Sequence, residues 1–187
     1  PTPGRSTTDD FNRGTNEGVS YFEVNQKSGW RWNTAKAFLR PTCYARPNFE
    51  MWTAAQVSKL HIQTQADGSL RCTGVEVDNG QERVQASARA SVVLCAGAIG
   101  TPQLLQLSGI GPAALLQQHG ITPVVDLPGV GANLQDHLQI RAVFKVNGVK
   151  TLNTLANSWW GKAAIGLEYL LHRSGPMSMA PSQLGAF

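Results

Sequence analysis

The clearest candidate for a ligand-binding element lies in the middle of the chain. Residues 91–95 (SVVLC) are apolar almost throughout, which is typical of a strand buried on both faces of a parallel sheet. Ala96 and Gly97 follow directly, and such small residues let a backbone approach a ligand closely. Thr101 and Pro102 predict the start of a helix, with Thr101 as its cap, and a helix N-terminus favours an anion. The same pattern also fits a simple tight turn, so further support is needed.

Acid–base chemistry would require a histidine or carboxylate held at a reacting centre. Of the four histidines, His137 is the most suggestive, because Asp136 precedes it in the segment NLQDH. The other three histidines are interpreted as surface or packing residues. The three cysteines are too few and too widely spaced for a disulfide framework or a CxxC metal site. We therefore predict no metal site.

The strand-to-helix segment is part of a longer motif. Residues 97–112 (GAIGTPQLLQLSGIGP) resemble the second signature segment of the glucose-methanol-choline (GMC) oxidoreductases, in which a Gly/Ala turn, Ser/Thr-Pro, a Leu pair and Ser-Gly-Ile-Gly-Pro recur in this order. Residues 14–41, 127–137 and 169–187 resemble the same family in the same order. The resemblance covers practically the whole chain and is strongest to the choline dehydrogenase-like branch.

The resemblance implies part of an FAD-dependent enzyme that transfers a hydride from the CH–OH group of a primary alcohol, choline included, to the flavin. It implies that the backbone of Val57 faces the adenine of FAD and that Ala96 and Gly97 line the nucleotide. It also makes residues 127–137 a domain-junction element, so we interpret His137 as structural. The resemblance does not settle whether oxygen, a quinone or another carrier accepts the electrons.

No catalytic residue is predicted within the chain. The resemblance implies that the family's GxGxxG segment, which cradles the FAD pyrophosphate, and its catalytic histidine lie outside residues 1–187. Gly129 and Gly131 form only a GxG in a loop after Pro128, without the third glycine. We therefore expect the isolated chain to be inactive.

Hydrophobic periodicity and turn residues predict the elements that position these residues. Asn79 and Gly80 predict a two-residue hairpin turn within a meander of antiparallel strands. The predicted strands are residues 19–24, 49–54, 57–63, 74–78, 83–88, 91–94, 121–125 and 138–146, and the predicted helices are residues 35–39, 101–107, 112–119 and 161–173.

This order of elements predicts an α/β (mixed α+β) fold. The resemblance assigns residues 1–136 to part of an FAD/NAD(P)-binding Rossmann-like domain with a lid or linker segment. It assigns residues 137–187 to the start of a substrate-binding domain with an antiparallel sheet.

Composition excludes several classes of protein. The formal net charge is +4, but the basic residues are scattered, so no nucleic-acid partner is predicted. No apolar run reaches the length of a membrane span. Trp159 and Trp160 are interpreted as packing at a helix start, with a substrate wall or peripheral membrane contact as alternatives. We predict a cytoplasmic protein that binds a small-molecule alcohol, and peripheral association with a membrane stays open.

Two other interpretations remain. The chain could be a non-catalytic binding or scaffold module derived from the same fold. It could also be a nicotinamide-dependent Rossmann dehydrogenase, which the missing GxGxxG disfavours.

Overall fold

The computed structural model describes residues 6–140, 142–180 and 182–186. The chain forms two compact units. The first, here called the sheet unit, is Met51–Arg141, and the second, the helix unit, combines Pro1–Glu50 with Ala142–Phe187. The predicted domain change near Asp136 concerns functional domains and stays a prediction.

The secondary structure follows the chain in this order. The strands are β1 (Val19–Tyr21), β2 (Gln26–Lys27), β3 (Trp30–Arg31), β4 (Gln56–Thr64), β5 (Leu70–Asp78), β6 (Arg83–Ser87), β7 (Ile110–Gly111), β8 (Val125–Asp126) and β9 (Leu184–Ala186). The α-helices are α1 (Gly97–Leu107), α2 (Ala113–Gln118), α3 (Leu152–Ala156) and α4 (Trp159–His172), together with a π-helix at Ala35–Cys43 and a 3-10 turn at Pro176–Ser178.

The sheet unit is built on the antiparallel meander β4–β5–β6, which confirms three predicted strands. Helix α1 packs against β4. Leu60 of β4, Val77 of β5, Leu104 of α1 and Leu116 of α2 are buried and form the core. Two short strands, β7 and β8, pair in parallel beside α1 and α2. The predicted helix at 112–119 is confirmed by α2.

The loop between β5 and β6 differs from the prediction. Asp78 pairs with Arg83, so the loop contains residues 79–82 and is longer than a two-residue hairpin. The side-chain oxygen Oδ1 of Asn79 accepts hydrogen bonds from the backbone N–H groups of Gln81 (3.0 Å) and Glu82 (2.9 Å). An Asn side chain that satisfies two loop donors stabilises the wider turn.

Residues 91–95 are not a strand buried on both faces, contrary to the prediction. Residues 91, 93 and 95 are exposed, Val93 at 79%. An apolar strand is buried only when neighbouring strands and helices cover it. Within the described residues no strand pairs with this segment.

Two further predicted strands were wrong. Residues 49–54 are irregular with a bend at residues 53–54, and the described part of residues 138–146 is irregular and exposed, Leu138 at 93%. Apolar sequence alone does not form a strand, because a strand needs a partner for its backbone hydrogen bonds. The described residues supply none for these segments.

The helix unit contains two antiparallel strand pairs. Strand β1 pairs with β9 through Ser20 and Gly185, and β2 pairs with β3 through Lys27 and Trp30. Strand β1 confirms the first half of the predicted strand at 19–24. The predicted helix at 161–173 is confirmed by α4.

The predicted short helix at 35–39 continues beyond Pro41, which we had expected to end it. Asn33 Oδ1 accepts a hydrogen bond from the backbone N–H of Lys36 at 3.0 Å, as expected of a cap. The segment is a π-helix, in which the N–H of Tyr44 reaches the carbonyl oxygen of Leu39 at 3.0 Å. Pro41 has no backbone N–H and so removes one hydrogen-bond donor from the helix. The hydrogen bond between Tyr44 and Leu39 on either side of it is kept, and the helix ends at Cys43.

Candidate functional site

A groove runs along the sheet unit between β4, residues 92–96 and helix α1. We call it the strand–helix groove. Its volume is about 800 Å³, within the range typical of small-molecule and cofactor sites. It is lined by Ala55, Gln56, Val57, Val75, residues 92–96, Gly100, Gln103, Leu104 and Leu107.

Two of the three predicted cofactor residues line this groove. Val57 lies on β4 and Ala96 on the turn before α1, and the fold brings them together from positions distant in sequence. Gly97 follows as the first residue of α1. Their contact with FAD stays a prediction.

Backbone geometry explains the small residues at the turn. Gly97 has φ +84°, a conformation that residues with a side chain rarely adopt, and a Cβ built there would meet no atom within 4 Å. Glycine is therefore required by the backbone, whereas the space beside it is open. Helix α1 begins at Gly97 rather than at Thr101 as predicted. Thr101 lies in the first turns and its Oγ1 accepts a hydrogen bond from the N–H of Ala96 at 3.1 Å.

The β4 wall of the groove is irregular at Val57. The pairing of β4 with β5 shifts register between Val57 and Lys59, as at a β-bulge. The carbonyl oxygen of Val57 accepts a hydrogen bond from the side chain of Gln56 at 3.1 Å. Bulges are common beside binding sites, where they redirect a strand.

Sequence analysis missed Gln106, which fixes the loop after β8. Its Nε2 donates to the carbonyl oxygen of Val130 at 3.1 Å. A Cβ at Gly131 would lie 2.9 Å from the same nitrogen, and Gly131 has φ +83°. A second cavity of about 600 Å³ lies between α1 and this loop, lined by residues that include Ile99, Gln106 and Asn133. No feature of the sequence marked Gln106, because its partner is a backbone carbonyl.

The structure does not form an acid–base pair at Asp136 and His137. The carboxylate of Asp136 accepts the backbone N–H of His137 at 2.8 Å, and both residues are exposed. In the part of the chain that the structure describes, no three His, Cys, Asp or Glu side chains are grouped to hold a metal ion.

Comparison with known proteins identifies the chain's relatives. Residues 2–139 match the family model described as GMC oxidoreductase. An alcohol dehydrogenase (acceptor) of Pseudomonas putida is 38% identical over 181 residues, which are 95% of this chain and 32% of that protein. An oxygen-dependent choline dehydrogenase of Brucella ovis is 40% identical over 172 residues, 92% of this chain and 30% of that protein. The chain thus spans about a third of the length of the curated relatives it matches.

Solved structures give the same result. A formate oxidase from Aspergillus oryzae superposes with a TM-score of 0.80 at 26% identity, covering 98% of this chain and 31% of that one. An FAD-dependent oxidoreductase from Chaetomium thermophilum superposes with a TM-score of 0.76 at 29% identity, covering 89% of this chain and 29% of that one. The predicted fold class, a mixed α/β chain forming part of a Rossmann-like domain, is confirmed. With a family model that covers most of its length, the chain belongs to the GMC oxidoreductases.

Proposed function

We propose that the chain is part of an FAD-dependent oxidoreductase that acts on the CH–OH group of primary alcohols and passes a hydride to the flavin. The strand–helix groove is the observation that carries this proposal. Val57 and Ala96, which the family resemblance relates to the cofactor, line the same cavity although 39 positions (96 minus 57) separate them. A structural valine and a structural alanine would not need to share a ligand-sized groove.

The residues present fit an adenine nucleotide. Val57 offers an apolar wall for the flat base, and Ala96 and Gly97 keep side chains out of the path of the sugar and phosphate. The FAD, when bound, supplies the electron chemistry. The part of this chain is to hold the nucleotide, to shield it from water along the groove and to orient it through the α1 turn.

The substrate proposed is a small alcohol. Support comes from relatives named as an alcohol dehydrogenase and as choline dehydrogenases. The electron acceptor belongs to the whole enzyme, and the names of the relatives differ on it. We propose no catalytic residue and no nucleic-acid partner within residues 1–187, and we expect the chain alone to be inactive.

The experiment uses a full-length parent protein that contains this chain, with the chain purified in parallel. The parent is expected to show a flavin absorption spectrum that bleaches when a primary alcohol is added without oxygen. The isolated chain is expected to turn over no alcohol when FAD is added. A parent without flavin would overturn the proposal, and one that binds NAD in its place would support a nicotinamide dehydrogenase. Flavin binding without bleaching by any alcohol would favour the scaffold interpretation.

We also infer cytoplasmic localisation with peripheral membrane contact. The three cysteines are free thiols, as is usual in a reducing compartment. No helix within the described residues is long and apolar enough to span a membrane.

Helix α4 has an exposed apolar face. Trp159 and Trp160 are 86% and 88% exposed, and Leu167, Leu170 and Leu171 follow at helical spacing. Within the described residues the tryptophans are not packed at the helix start, contrary to what we had expected.

Interfacial helices combine an apolar face with flanking cations. Lys162 lies 5.8 Å from the ring centroid of Trp159 and would serve as such a cation. The parent protein is expected to sediment with vesicles that contain phosphatidylserine, and the double change of Trp159→Ser and Trp160→Ser should abolish most of this binding. Tyr21→Ser, at an aromatic residue that is 74% exposed, is the control. Equal loss in the control, or no sedimentation of the parent, would overturn this inference.

A further inference from the structure

Another concave site lies in the helix unit, and it shares no residue with the strand–helix groove. Trp30, Trp32, Lys36, Arg40 and Pro41 line a shallow depression of about 530 Å³, which we call the indole notch. Its lining combines two tryptophans with a lysine and an arginine that lie four residues apart on the π-helix. The notch thus combines flat apolar surfaces with positive charge.

Contacts between the β2–β3 hairpin and the end of α4 fix the position of Trp30. The β2–β3 hairpin turns at Ser28 and Gly29, both with positive φ, and presses against the C-terminal end of α4. The hydroxyl of Tyr169 donates to the carbonyl oxygen of Gly29 at 3.1 Å. A Cβ at Gly29 would collide with the carbonyl oxygen of Arg173. Only glycine permits this approach, so the hairpin is anchored closely to the helix.

Ring contacts complete the support of Trp30. The Tyr169 ring meets it edge-on at a centroid distance of 6.2 Å, and the Arg173 guanidinium carbon lies 4.4 Å from the Trp30 centroid. A cation this close to an indole is attracted by the ring. One wall of the notch is therefore pre-formed rather than assembled by a ligand.

The positive charges at the notch retain unused donors. The Nζ of Lys36 lies 5.5 Å from the Trp30 centroid and 5.8 Å from the Trp32 centroid. It donates one hydrogen bond, to the carbonyl oxygen of Arg31 at 3.2 Å, although an ammonium group has three donors. Lys27 adds a further cation 5.3 Å from the Trp32 centroid. Among the described residues, no ion pair joins Lys27, Lys36 or Arg40 to a carboxylate.

We propose that the indole notch binds a small anion that carries a flat aromatic ring, with the ring against Trp30 and Trp32 and the anionic group at Lys36 and Arg40. A cationic ligand would be repelled by these side chains, and a neutral one would gain no charge attraction from them. A bare inorganic anion would gain nothing from the indole walls. The guanidinium fork of Arg40 suits either a phosphate or a carboxylate, which share this chemistry.

Isothermal titration calorimetry with the 187-residue chain tests the proposal with four probes. The probes are 1-naphthyl phosphate, 1-naphthoate, 1-naphthol and inorganic phosphate. At least one of the two aryl anions should bind about tenfold more tightly than both naphthol and phosphate, since each missing feature removes roughly one to two kcal/mol. The stronger of the two aryl anions identifies the anionic group.

Variants locate the site. Lys36→Gln combined with Arg40→Gln should weaken the aryl anion about tenfold, whereas Lys162→Gln, which removes another tryptophan-stacked lysine outside the notch, should not change it. The indole N–H signals of Trp30 and Trp32 should shift on titration, and those of Trp159 and Trp160 should not. These two charge changes lie at the surface, so the fold can be checked by circular dichroism.

The proposal is overturned if naphthol binds as tightly as the aryl anions, if Lys162→Gln weakens binding as much as the double variant, or if the Trp30 and Trp32 signals stay unmoved. It uses no residue of the proposed flavin groove. Its failure would therefore leave the oxidoreductase proposal intact.

Discussion

The hydroxyl of Ser108 accepts a hydrogen bond from the backbone N–H of Leu60 at 2.8 Å, although 48 residues separate the two in sequence. The same hydroxyl donates to the carbonyl oxygen of Leu104 at 2.6 Å. Ser108 is 4% exposed and lies just after α1, whereas Leu60 lies in the centre of β4. One side chain thus ties the end of the helix to the strand that carries Val57, and both walls of the strand–helix groove depend on it.

Ser108→Ala is expected to lower the free energy of unfolding by about 1–3 kcal/mol, because it leaves the buried N–H of Leu60 without a partner. Urea denaturation followed by circular dichroism measures this. Ser87→Ala, at an exposed position of β6, should change stability by less than about 0.5 kcal/mol. Equal effects at the two serines would contradict a linking role for Ser108.

Asp67 makes the β4–β5 turn sensitive to acid. A hydrogen bond from the Ser69 hydroxyl (2.7 Å), followed by one from the Ser69 backbone N–H (2.9 Å), holds the pKa of Asp67 below its ordinary value of 3.8. A depressed carboxyl pKa in the folded state stabilises the protein above the unfolded pKa, and this contribution is lost as the pH falls through the folded pKa.

Stability measured from neutral pH down through the carboxyl range should therefore show a difference between the native chain and Asp67→Asn that shrinks as the pH falls. Glu23→Gln is the control, since Glu23 is exposed and lies outside the sheet unit. A difference for Asp67→Asn that is the same at every pH would show that the charge of Asp67 is not involved.

Tyr169→Phe tests the anchor of the β2–β3 hairpin. The variant keeps the ring contact with Trp30 but removes the hydrogen bond to Gly29, so the expected loss in free energy of unfolding is about 0.5–1.5 kcal/mol. Hydrogen exchange at the amides of β2 and β3 should become faster, because the hairpin is held from one side by this bond. Tyr21→Phe, at an exposed residue of β1, should leave that exchange unchanged.

The sequence predicted those parts of the molecule in which local signals and tertiary structure agree. Strands β5 and β6 alternate apolar and polar residues, and β4, β5 and β6 pair with their sequence neighbours, so local signals sufficed. The strand at 91–94 was wrong because an apolar run indicates burial but does not supply the neighbours that bury it. The two-residue turn at Asn79 and Gly80 was wrong because the Asn79 side chain satisfies a wider loop.

In the candidate site, too, some residues could be predicted from the sequence and others could not. Val57 and Ala96 were named through family resemblance, and only the fold places them on one groove. Gln106 and Ser108 act through backbone partners in distant segments, so no local pattern marks them. The Ser28–Gly29 hairpin was missed although such a pair is a known turn signal, since strands of two residues show no periodicity.

Gly97→Val tests the turn that enters α1 and its proposed role toward the flavin. At φ +84° a β-branched residue is strained, which costs of the order of 1–3 kcal/mol of stability. In a parent protein, flavin affinity should fall at least about tenfold, because the turn would relax and the new side chain would enter the open space beside Gly97. Gly97→Ala should show the strain with a smaller loss of affinity.

Gly166→Ala is the matched control for Gly97. Gly166 lies within α4, its φ is not positive, and nothing lies within 4 Å of a Cβ built there. Alanine at that site should raise stability by about 0.5–1 kcal/mol, as expected in a helix interior, and should leave flavin affinity unchanged. If Gly97→Val lowered stability while a folded parent kept its flavin affinity, Gly97 would serve only the turn, and the nucleotide would have to be held by other residues.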